Sequence, residues 1–399
     1  MEQLVNFFYR LLDRYSGFTQ MRYLYNEINW NNQLILIRGP KGSGKTTMLM
    51  QHILHTFPDK SKVLYCSVDH FWFASHTLLE LAEYAHTHDI THLFLDEIHK
   101  YGNWAQELKN IYDGYPKLHV VVTGSNALDI IHQMYDLSRR CRVYTMQGMS
   151  FREYLKMEDV ADLPVVSLEE LVNRHIEISR DITIKQNVKV LLHFERYIKE
   201  GYYPFYRDES MNFGERLSQV IDTIIFNEIP AVSNLEYESV YKIKPLLAVL
   251  AQQNPYTLNI SALGKSLNAS RNVLLKLIEL LDQAALIRRL YAASEDWEQI
   301  NKPEKILFNN TNLMYALSPN ADTGTMRETF CASMLVKGHK IAMPQKGDIV
   351  ADKLYLFEVG GKNKGFGQIA NIPNSYVVAD GIDMGFENKI PLWMFGMLY

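Results

Sequence analysis

The first third of the sequence predicts an α/β fold in which helices cover both faces of a mostly parallel sheet. Four short apolar runs lie at 34–38, 62–68, 91–95 and 118–123. Wholly apolar runs of this length are typical of strands that are buried on both faces of a parallel sheet. Helical patterns separate the runs, and this alternation of strand and helix indicates a doubly wound domain.

Length and composition bound the rest of the chain. Its 399 residues are too many for one ordinary core, and 47% hydrophobic with 22% charged residues excludes a disordered chain. The net charge of -4 gives no overall basic field, so any contact with nucleic acid requires a local patch. The three cysteines lie far apart and form no CxxC pair, which argues against a disulfide framework and a zinc cluster.

The sequence carries no pattern for secretion or membrane insertion. Arg10 and Asp13 stand where a secretory signal has an uninterrupted apolar run. No window approaches the ~18 apolar residues that a membrane-spanning helix needs. We therefore expect a cytoplasmic protein without a membrane partner.

The segment 39–46 reads Gly-Pro-Lys-Gly-Ser-Gly-Lys-Thr and directly follows the first apolar run. It matches the phosphate-binding pattern GxxxxGK[ST] between a strand and a helix, the context that this pattern requires. Glycines let the backbone turn its N–H groups around phosphate oxygens, and Lys45 reaches the β- and γ-phosphates. We expect ATP to contact Gly39, Pro40, Lys41, Gly42, Ser43, Gly44, Lys45, Thr46 and Thr47.

Two adjacent acids, Asp96 and Glu97, end the apolar run of segment 91–99. An acid at the carboxyl end of a buried strand faces the crevice in which open α/β sheets bind ligands. We expect Asp96 and the Thr46 hydroxyl to hold Mg²⁺, and Glu97 to act as general base toward the attacking water. The alternative for Glu97 is an ordinary surface carboxylate at the start of a helix.

Further polar candidates stand near the last two predicted strands of this domain. Thr123, Ser125 and Asn126 either contact the γ-phosphate or cap the following helix, and we place Asn126 among the catalytic candidates. Arg140, in the basic run 139–142, has two interpretations. It stabilises transition-state charge, in its own subunit or in a neighbouring one, or it belongs to a solvated basic turn.

These segments resemble the prokaryotic AAA-type P-loop ATPases that carry a C-terminal restriction-endonuclease-like domain. The likeness rests on GPKGSGKTT, LFLDEIH, VVTGSNA and SRRCRVYTMQGMSFREYL, strongly over 34–155 and more weakly over 205–365. The family pattern has a Gly-Arg pair before SFREYL, whereas here Arg139 stands at the glycine position and Arg140 at the arginine position. The resemblance implies that the strand ending in VVTGSNA lies between the P-loop strand and the acid strand.

The predicted organisation has four parts. They are an AAA-like ATPase domain at 1–156, a helical lid or linker at 157–239, a winged-helix-like segment at 240–295 and a restriction-endonuclease-like α/β domain at 296–399. Strand-like runs return in the last part, and the resemblance implies that this part is a restriction-endonuclease-like domain. Within the first part, residues 1–30 read as two amphipathic helical stretches.

Segment 240–292 reads as three helices followed by a strand, the layout of a winged helix-turn-helix. It carries seven basic residues against two acids, a local charge of +5, so the rest of the chain carries -4 - 5 = -9. Such a contrast is typical of a duplex-DNA interface, and the alternative is a packing module with a solvated basic face. The basic residues are Lys242, Lys244, Lys265, Arg271, Lys276, Arg288 and Arg289.

The C-terminal candidates follow from the resemblance. In the restriction-endonuclease-like fold, two acids and an E-x-K tripeptide hold Mg²⁺ and activate water. Glu328, Asp348 and Glu358 match the acids, but Gly360 occupies the lysine position of the tripeptide, and we take Lys362 as its substitute. Lys362 lies roughly 13 Å along an extended strand from Glu358, so we favour a degenerate nuclease site over an active one.

Three functional hypotheses remain open on these grounds. The first is an ATP-hydrolysing motor or remodeller that works in an assembly, with a homo-oligomer and DNA as candidate partners. The second is a nucleotide-gated binding module with little turnover, because contacts of the γ-phosphate and Mg²⁺ can hold one conformation. The third is Mg²⁺-dependent DNA cleavage by the C-terminal domain.

Overall fold

A computed structural model describes residues 1–125, 137, 139–233, 235–252, 260–293, 305–318 and 320–399. The chain divides into two compact units, Met1–Gly148 and Met149–Tyr399. Among the described residues, the first unit contains one sheet and the second contains two. The finer domain boundaries expected from the sequence stay predictions.

The first unit contains a five-stranded, wholly parallel sheet with strand order β2-β3-β4-β1-β5. The four apolar runs form four of these strands, so the predicted α/β fold with a parallel sheet is confirmed. Strand β4 lies between β1 and β3, as the resemblance implies. The strands are β1 (Leu34–Arg38), β2 (Val63–Ser67), β3 (His92–Asp96), β4 (His119–Gly124) and β5 (Arg142–Thr145).

Four helices in the described part of this unit cover the sheet. They are α1 (Glu2–Tyr15), α2 (Lys45–Thr56), α3 (Leu78–Thr87) and α4 (Trp104–Gly114). Helix α1 buries Leu4, Phe8 and Leu12, which share one face because they recur every four residues. The second helical stretch predicted before residue 30 is wrong, since only a 3₁₀ turn forms at Tyr23–Asn26. Asparagines crowd the segment after it and favour turns over a longer helix.

The second unit begins with a mainly helical part. Three of its helices continue directly into π-helical turns. The turns are Asp181–Lys185 after the helix Leu168–Arg180, Tyr197–Gly201 after Val190–Arg196, and Ile224–Glu228 after Phe213–Thr223. In the part of the chain that the structure describes, no helix combines the length and apolarity needed to cross a membrane. The helices are α5 (Phe151–Met157), α6 (Leu168–Arg180), α7 (Val190–Arg196), α8 (Phe213–Thr223), α9 (Ile229–Val232) and α10 (Tyr237–Tyr241).

Three further helices and a two-stranded antiparallel sheet follow. They are α11 (Ile243–Gln252), α12 (Ile260–Leu267), α13 (Arg271–Gln283), β6 (Ile287–Leu290) and β7 (Lys305–Phe308). Helix α13 begins after Ser270, whose side chain accepts a hydrogen bond from the Val273 amide. Its leucines and isoleucine at 274, 277, 278, 280 and 281 are buried, whereas its opposite face is exposed.

The C-terminal part contains two helices and a five-stranded mixed sheet with order β12-β11-β10-β9-β8. Strand β10 pairs in parallel with β11 and antiparallel with β9, and α15 packs against it. The elements are α14 (Thr311–Leu317), α15 (Thr323–Leu335), β8 (Ile341–Ala342), β9 (Ile349–Ala351), β10 (Tyr355–Gly361), β11 (Ser375–Asp380) and β12 (Lys389–Pro391).

Candidate functional site

The loop that joins β1 to α2 is shaped by its glycines. Gly42 and Gly44 have φ angles of 82° and 95°, a region that residues with a side chain rarely adopt. Gly39 is required for another reason, because a Cβ atom there would lie 2.3 Å from the carbonyl oxygen of Met146. The loop therefore turns tightly against the end of β5 and opens into the first turn of α2, as the phosphate-binding pattern predicts.

Lys45, the first residue of α2, is buried and turns back into the loop. Its Nζ atom donates hydrogen bonds to the carbonyl oxygens of Gly39 at 2.9 Å and Pro40 at 3.0 Å. The ammonium group therefore lies inside the curve of the loop, next to the amino-terminal end of the helix. A triphosphate in this curve would meet both the helix end and the lysine charge.

Arg22 supports the same loop and was missed by sequence reasoning. Its buried guanidinium donates one hydrogen bond to the backbone carbonyl of Ser43 in the loop and another, of 2.9 Å, to the carbonyl of Gln147 after β5. It therefore ties the loop to the neighbouring strand. No local sequence pattern distinguishes Arg22 from an exposed arginine, because its partners Ser43 and Gln147 lie 21 and 125 residues away in the sequence.

Asp96, at the end of β3, accepts hydrogen bonds from three hydroxyl groups. Thr46 Oγ1 donates to its Oδ2 atom at 2.6 Å, Tyr65 donates to the same atom at 2.7 Å, and Thr123 donates to Oδ1. The two residues predicted as Mg²⁺ ligands, Thr46 and Asp96, are thus in direct contact. Tyr65 on β2 was not predicted, although β2 is the strand next to β3.

The contacts of Asp96 fit a magnesium site. Mg²⁺ prefers oxygen ligands and is usually held by one or two carboxylates together with phosphates and water. Thr46 and Asp96 supply a hydroxyl and a carboxylate beside the phosphate loop. Over the described ranges, no group of three His, Cys, Asp or Glu side chains could hold a metal ion by itself. A magnesium ion here would therefore depend on bound phosphates for its remaining ligands.

Glu97 follows Asp96 in a left-handed backbone conformation, with a φ angle of 59°. Few residues other than glycine adopt this conformation, and such departures concentrate at functional sites. The Glu97 amide donates to Asp96 Oδ1 and to Thr123 Oγ1, both at 3.2 Å, which holds the turn in place. Burial raises the pKa of the Glu97 carboxyl, while the nearby Lys45 charge opposes the rise.

Two of the three polar candidates at the end of β4, Thr123 and Ser125, have partners in the described residues. Asn126 lies outside the described residues. The Thr123 hydroxyl is engaged with Asp96, and the Ser125 amide donates to Nδ1 of His99 at 3.3 Å. The side chains of Thr123 and His99 therefore join the end of β4 to the two acids after β3. His99 was not among the predicted site residues.

The structure does not bring Arg140 to the phosphate loop of its own chain. The loop follows the carboxyl end of β1, whereas Arg140 precedes the amino end of β5, which runs parallel to β1 with Arg142 opposite Ile35. Arg140 forms a two-bond ion pair with Asp113 at the end of α4, with both distances 2.9 Å. A role at its own ATP site is therefore wrong, and a role in a neighbouring subunit stays a prediction.

The C-terminal candidates pair with lysines that were not predicted. Glu328 forms an ion pair with Lys305, and Glu358 forms one with Lys364. The Val359 amide donates to Asp348 Oδ2 at 2.8 Å. These acids therefore have internal partners, and burial raises the pKa of Glu328 to about 7 while Lys305 opposes the rise.

The assignment of Lys362 as the partner of Glu358 is wrong. Lys362 is exposed, whereas the side chain of Lys364 crosses Gly360, where a Cβ atom would lie 2.7 Å from its Cγ and Cδ atoms. The Lys364 amide donates to the carbonyl of Gly361 at 2.9 Å, so the chain turns back toward Glu358. The missing side chain at Gly360 leaves the room that Lys364 occupies.

Four of the seven basic residues in segment 240–292 have internal partners. Lys244 pairs with Asp222, and Arg289 pairs with Asp282. The remaining two engaged residues are Lys242, which donates to the Asn268 carbonyl at 2.8 Å, and Arg288, which donates to Asn309 Oδ1 at 2.8 Å.

The other three, Lys265, Arg271 and Lys276, are exposed. Lys265 and Arg271 line a cleft of about 430 Å³ between α12 and the start of α13. Fewer cations are thus available to a partner than the local charge suggests, and these three lie on α12 and α13.

Two segments of the chain match known domain families. Residues 31–155 match an AAA domain family, and residues 191–324 match a domain of unknown function, DUF8612. The chain is also 26% identical over 356 residues to the uncharacterized protein MJ1637 of Methanocaldococcus jannaschii. That alignment covers 86% of this chain and 71% of the relative.

Solved structures with some similarity include the Aeropyrum pernix ORC1 protein in complex with DNA, at 12% identity and a TM-score of 0.32. This match covers 78% of this chain and 91% of that one. Another is AMPPCP-bound DnaA from Aquifex aeolicus, at 12% identity, a TM-score of 0.27, and coverage of 70% and 88%. The sheet order and the loop geometry agree with the match of residues 31–155 to the AAA domain family.

Proposed function

We propose that the chain binds Mg²⁺-ATP in the loop 39–47 and hydrolyses it, with Glu97 as general base. The observation that carries the proposal is the contact of Thr46 with Asp96 at 2.6 Å, with the partly buried carboxyl of Glu97, 25% exposed, next in sequence. A hydroxyl, a metal-binding carboxylate and a base thus meet beside the phosphate loop. A nucleotide-binding protein without turnover does not need the second acid.

Each group has a defined task in this proposal. Loop amides and the amino-terminal end of α2 bind the phosphates, and Lys45 turns from the loop carbonyls toward the β- and γ-phosphates. Thr46 and Asp96 would hold Mg²⁺, which when bound neutralises charge on the phosphates. The oxygen of a water attacks the γ-phosphorus, the bond to the ADP oxygen breaks, and Glu97 accepts a proton of that water.

The environment of Glu97 suits this task. A general base works best when its pKa approaches the operating pH, and burial raises the pKa of Glu97 in that direction. Its left-handed backbone, held by Asp96 and Thr123, turns the residue out of the strand direction. An ordinary surface carboxylate has neither feature, so the alternative interpretation of Glu97 is less well supported.

The test is steady-state ATP hydrolysis by the wild type, Glu97→Gln and Lys45→Ala. We expect Glu97→Gln to lower kcat by about 10²- to 10⁴-fold, the usual contribution of a positioned base, with ATP affinity retained. Lys45→Ala should weaken ATP binding about tenfold or more, because it removes a charged donor to the phosphates. Glu83→Gln on the exposed face of α3 is the control for a lost carboxylate.

Equal turnover in wild type and Glu97→Gln, with ATP binding intact in both, contradicts hydrolysis by this base. That result favours the second hypothesis, a nucleotide-gated module. In that case the bound triphosphate acts through the conformation it holds.

We further propose that α11, α12, α13 and the β6–β7 pair form a winged helix-turn-helix that binds duplex DNA. The supporting observation is that Lys265, Arg271 and Lys276 stay exposed, with the first two beside a cleft at the start of α13. A recognition helix of this motif uses its amino-terminal residues on the DNA, and exposed cations contact phosphates.

Filter binding of labelled duplex DNA at two salt concentrations tests this second proposal. Each lost phosphate contact should reduce the slope of log affinity against log salt by about one. We expect Arg271→Ala and Lys276→Ala to do so, and Lys185→Ala, in the π-helical turn Asp181–Lys185 outside the proposed motif, to leave the slope unchanged. Binding that is absent, or insensitive to both substitutions, contradicts the proposal.

We do not assign nuclease activity to the C-terminal part. The two acids Glu328 and Glu358 are paired with Lys305 and Lys364, and no metal-binding group of acids exists among the described residues. These pairs favour a scaffold that has kept the acids for internal charge compensation. Nicking of duplex DNA that is lost in Asp348→Ala would contradict this inference.

A further inference from the structure

His99 lies between the candidate base and the end of the central strand β4. It belongs to the 3₁₀ turn Ile98–Lys100 that follows Glu97, and its side chain is only 5% exposed. Its Nε2 atom lies 3.4 Å from Oε2 of Glu97, and its Nδ1 atom accepts the hydrogen bond from the Ser125 amide at 3.3 Å. One buried ring therefore contacts both groups.

The contact with Ser125 defines how the ring uses its two nitrogens. A backbone amide can only donate, so Nδ1 of His99 is the acceptor in this contact. In a neutral imidazole the proton then resides on Nε2, the atom that faces the Glu97 carboxylate. The Nε2 atom thus lies beside the base without forming a hydrogen bond to it in this structure, at a distance that a small movement shortens to a full hydrogen bond.

Ser125 is the first residue after β4, the strand between the phosphate-loop strand β1 and the acid strand β3. All three strands are parallel, so their carboxyl ends meet at one edge of the sheet. A shift of the Ser125 amide at this edge acts on Nδ1 of His99 and, through the rigid ring, on Nε2. The carboxylate of Glu97 is therefore linked to the position of the β4 end.

We propose that His99 is a positioning residue, which orients the Glu97 carboxylate and links that orientation to the end of β4. This inference rests on the proposed function, since it takes Glu97 as the base. His99 does not contact the reacting atoms and does not itself move the proton. A bound γ-phosphate that contacts the end of β4 would change the orientation of the Glu97 carboxylate through the His99 ring.

Three substitutions separate positioning from packing. His99→Phe keeps the ring shape and removes both nitrogens, His99→Gln keeps an amide N–H near the Nε2 position, and His99→Asn keeps a polar atom near Nδ1 only. We expect His99→Phe to lower kcat about tenfold to hundredfold, because a misplaced catalytic group costs that much, while KM for ATP changes less than about twofold. His99→Gln should recover part of kcat, because it restores an N–H toward Glu97 but not the contact with Ser125, and His99→Asn should not.

A residue that only fills space gives another pattern. His99→Phe would then keep the wild-type kcat, or His99→Gln would fall as far as His99→Phe, and either result overturns the proposal. Wild type and Glu97→Gln are assayed beside these variants. Equal rates in those two refute the proposed function instead, so the two failures are distinguishable.

A measurement without turnover decides the contact itself. The ¹⁵N chemical shifts of the His99 ring, assigned by their loss in His99→Gln, report which nitrogen carries the proton. The proposal expects the proton on Nε2 and a change of the Nε2 shift in Glu97→Gln. A proton on Nδ1, or an Nε2 shift that is unaffected by Glu97→Gln, contradicts it.

Discussion

The hydroxyl of Tyr65 donates a 2.7 Å hydrogen bond to Oδ2 of Asp96, the same oxygen that accepts from Thr46. Tyr65 is buried on β2, and its environment raises the pKa of the phenol far above its ordinary value, chiefly through burial and then through the Asp96 charge. The phenol therefore keeps its proton and remains a hydrogen-bond donor to Asp96. If Thr46 turned its hydroxyl to a bound Mg²⁺, Tyr65 would still hold Asp96 in place.

The first prediction follows from this contact. Tyr65→Phe should raise the Mg²⁺ concentration for half-maximal ATP hydrolysis by up to about tenfold, since a hydrogen bond to a charged group contributes ~1.5 kcal/mol or more. A magnesium titration of the ATPase rate measures the change. Tyr115→Phe is the matched control, because Tyr115 donates to Glu83 at 2.6 Å on the surface. An unchanged magnesium requirement in Tyr65→Phe would show that Thr46 and Thr123 suffice.

The second prediction concerns the close approach at Gly39. Gly39→Ala should destabilise the first unit by about 1–3 kcal/mol, the usual effect of forced overpacking, because the new Cβ atom meets the Met146 carbonyl at 2.3 Å. It should also weaken ATP binding, because the loop must move to relieve the clash. Urea unfolding and ATP titration measure the two effects. Gly102→Ala, where nothing lies within 4 Å of the added atom, should change neither.

The third prediction is a loss of stability in acid through His52. This buried ring stacks on Trp30 with centroids 3.7 Å apart, and burial together with the nearby His92 lowers its pKa from 6.5 to about 4. The folded state therefore resists protonation that the unfolded state accepts. The stabilisation is complete above pH 6.5 and is lost as the pH falls toward 4, by up to about 3 kcal/mol.

Urea unfolding at several pH values, followed by tryptophan fluorescence, tests this titration. The wild type should lose more free energy of unfolding between pH 7 and pH 4 than His52→Gln, which has no titrating ring. The difference in the free energy of unfolding between the two proteins, plotted against pH, isolates the contribution of His52 from those of other groups. A constant difference across this range contradicts the prediction.

The fourth prediction compares two neighbouring lysines. Lys364→Ala should destabilise the second unit by about 3–5 kcal/mol, because it leaves the charge of Glu358, only 1% exposed, without its cation. Lys362→Ala, two residues earlier and exposed, should cost less than about 0.5 kcal/mol. Thermal or urea unfolding measures both variants. Similar stability losses in the two would mean that Glu358 finds another partner.

Much of the first unit was predictable because its signals are local. An apolar run, a glycine-rich loop and a following helix lie within 34–56, and the acids come directly after another apolar run. Thr46 and Asp96, both predicted as Mg²⁺ ligands, lie in contact because the carboxyl ends of parallel strands meet at one edge. The three helices of 243–283 were equally visible, since their apolar spacing needs no distant partner.

Other features depend on contacts between residues far apart in sequence. Tyr65 reaches Asp96 across neighbouring strands, Arg22 meets the loop from the position before a 3₁₀ turn, and His99 meets Ser125 only because β4 lies beside β3. Lys364 replaces Lys362 through a turn that no spacing rule predicts. Local sequence thus sufficed for the phosphate loop and its acids, whose geometry is set by backbone preferences and strand direction. Their supporting side chains required the folded chain, because burial and strand order decide which polar groups meet.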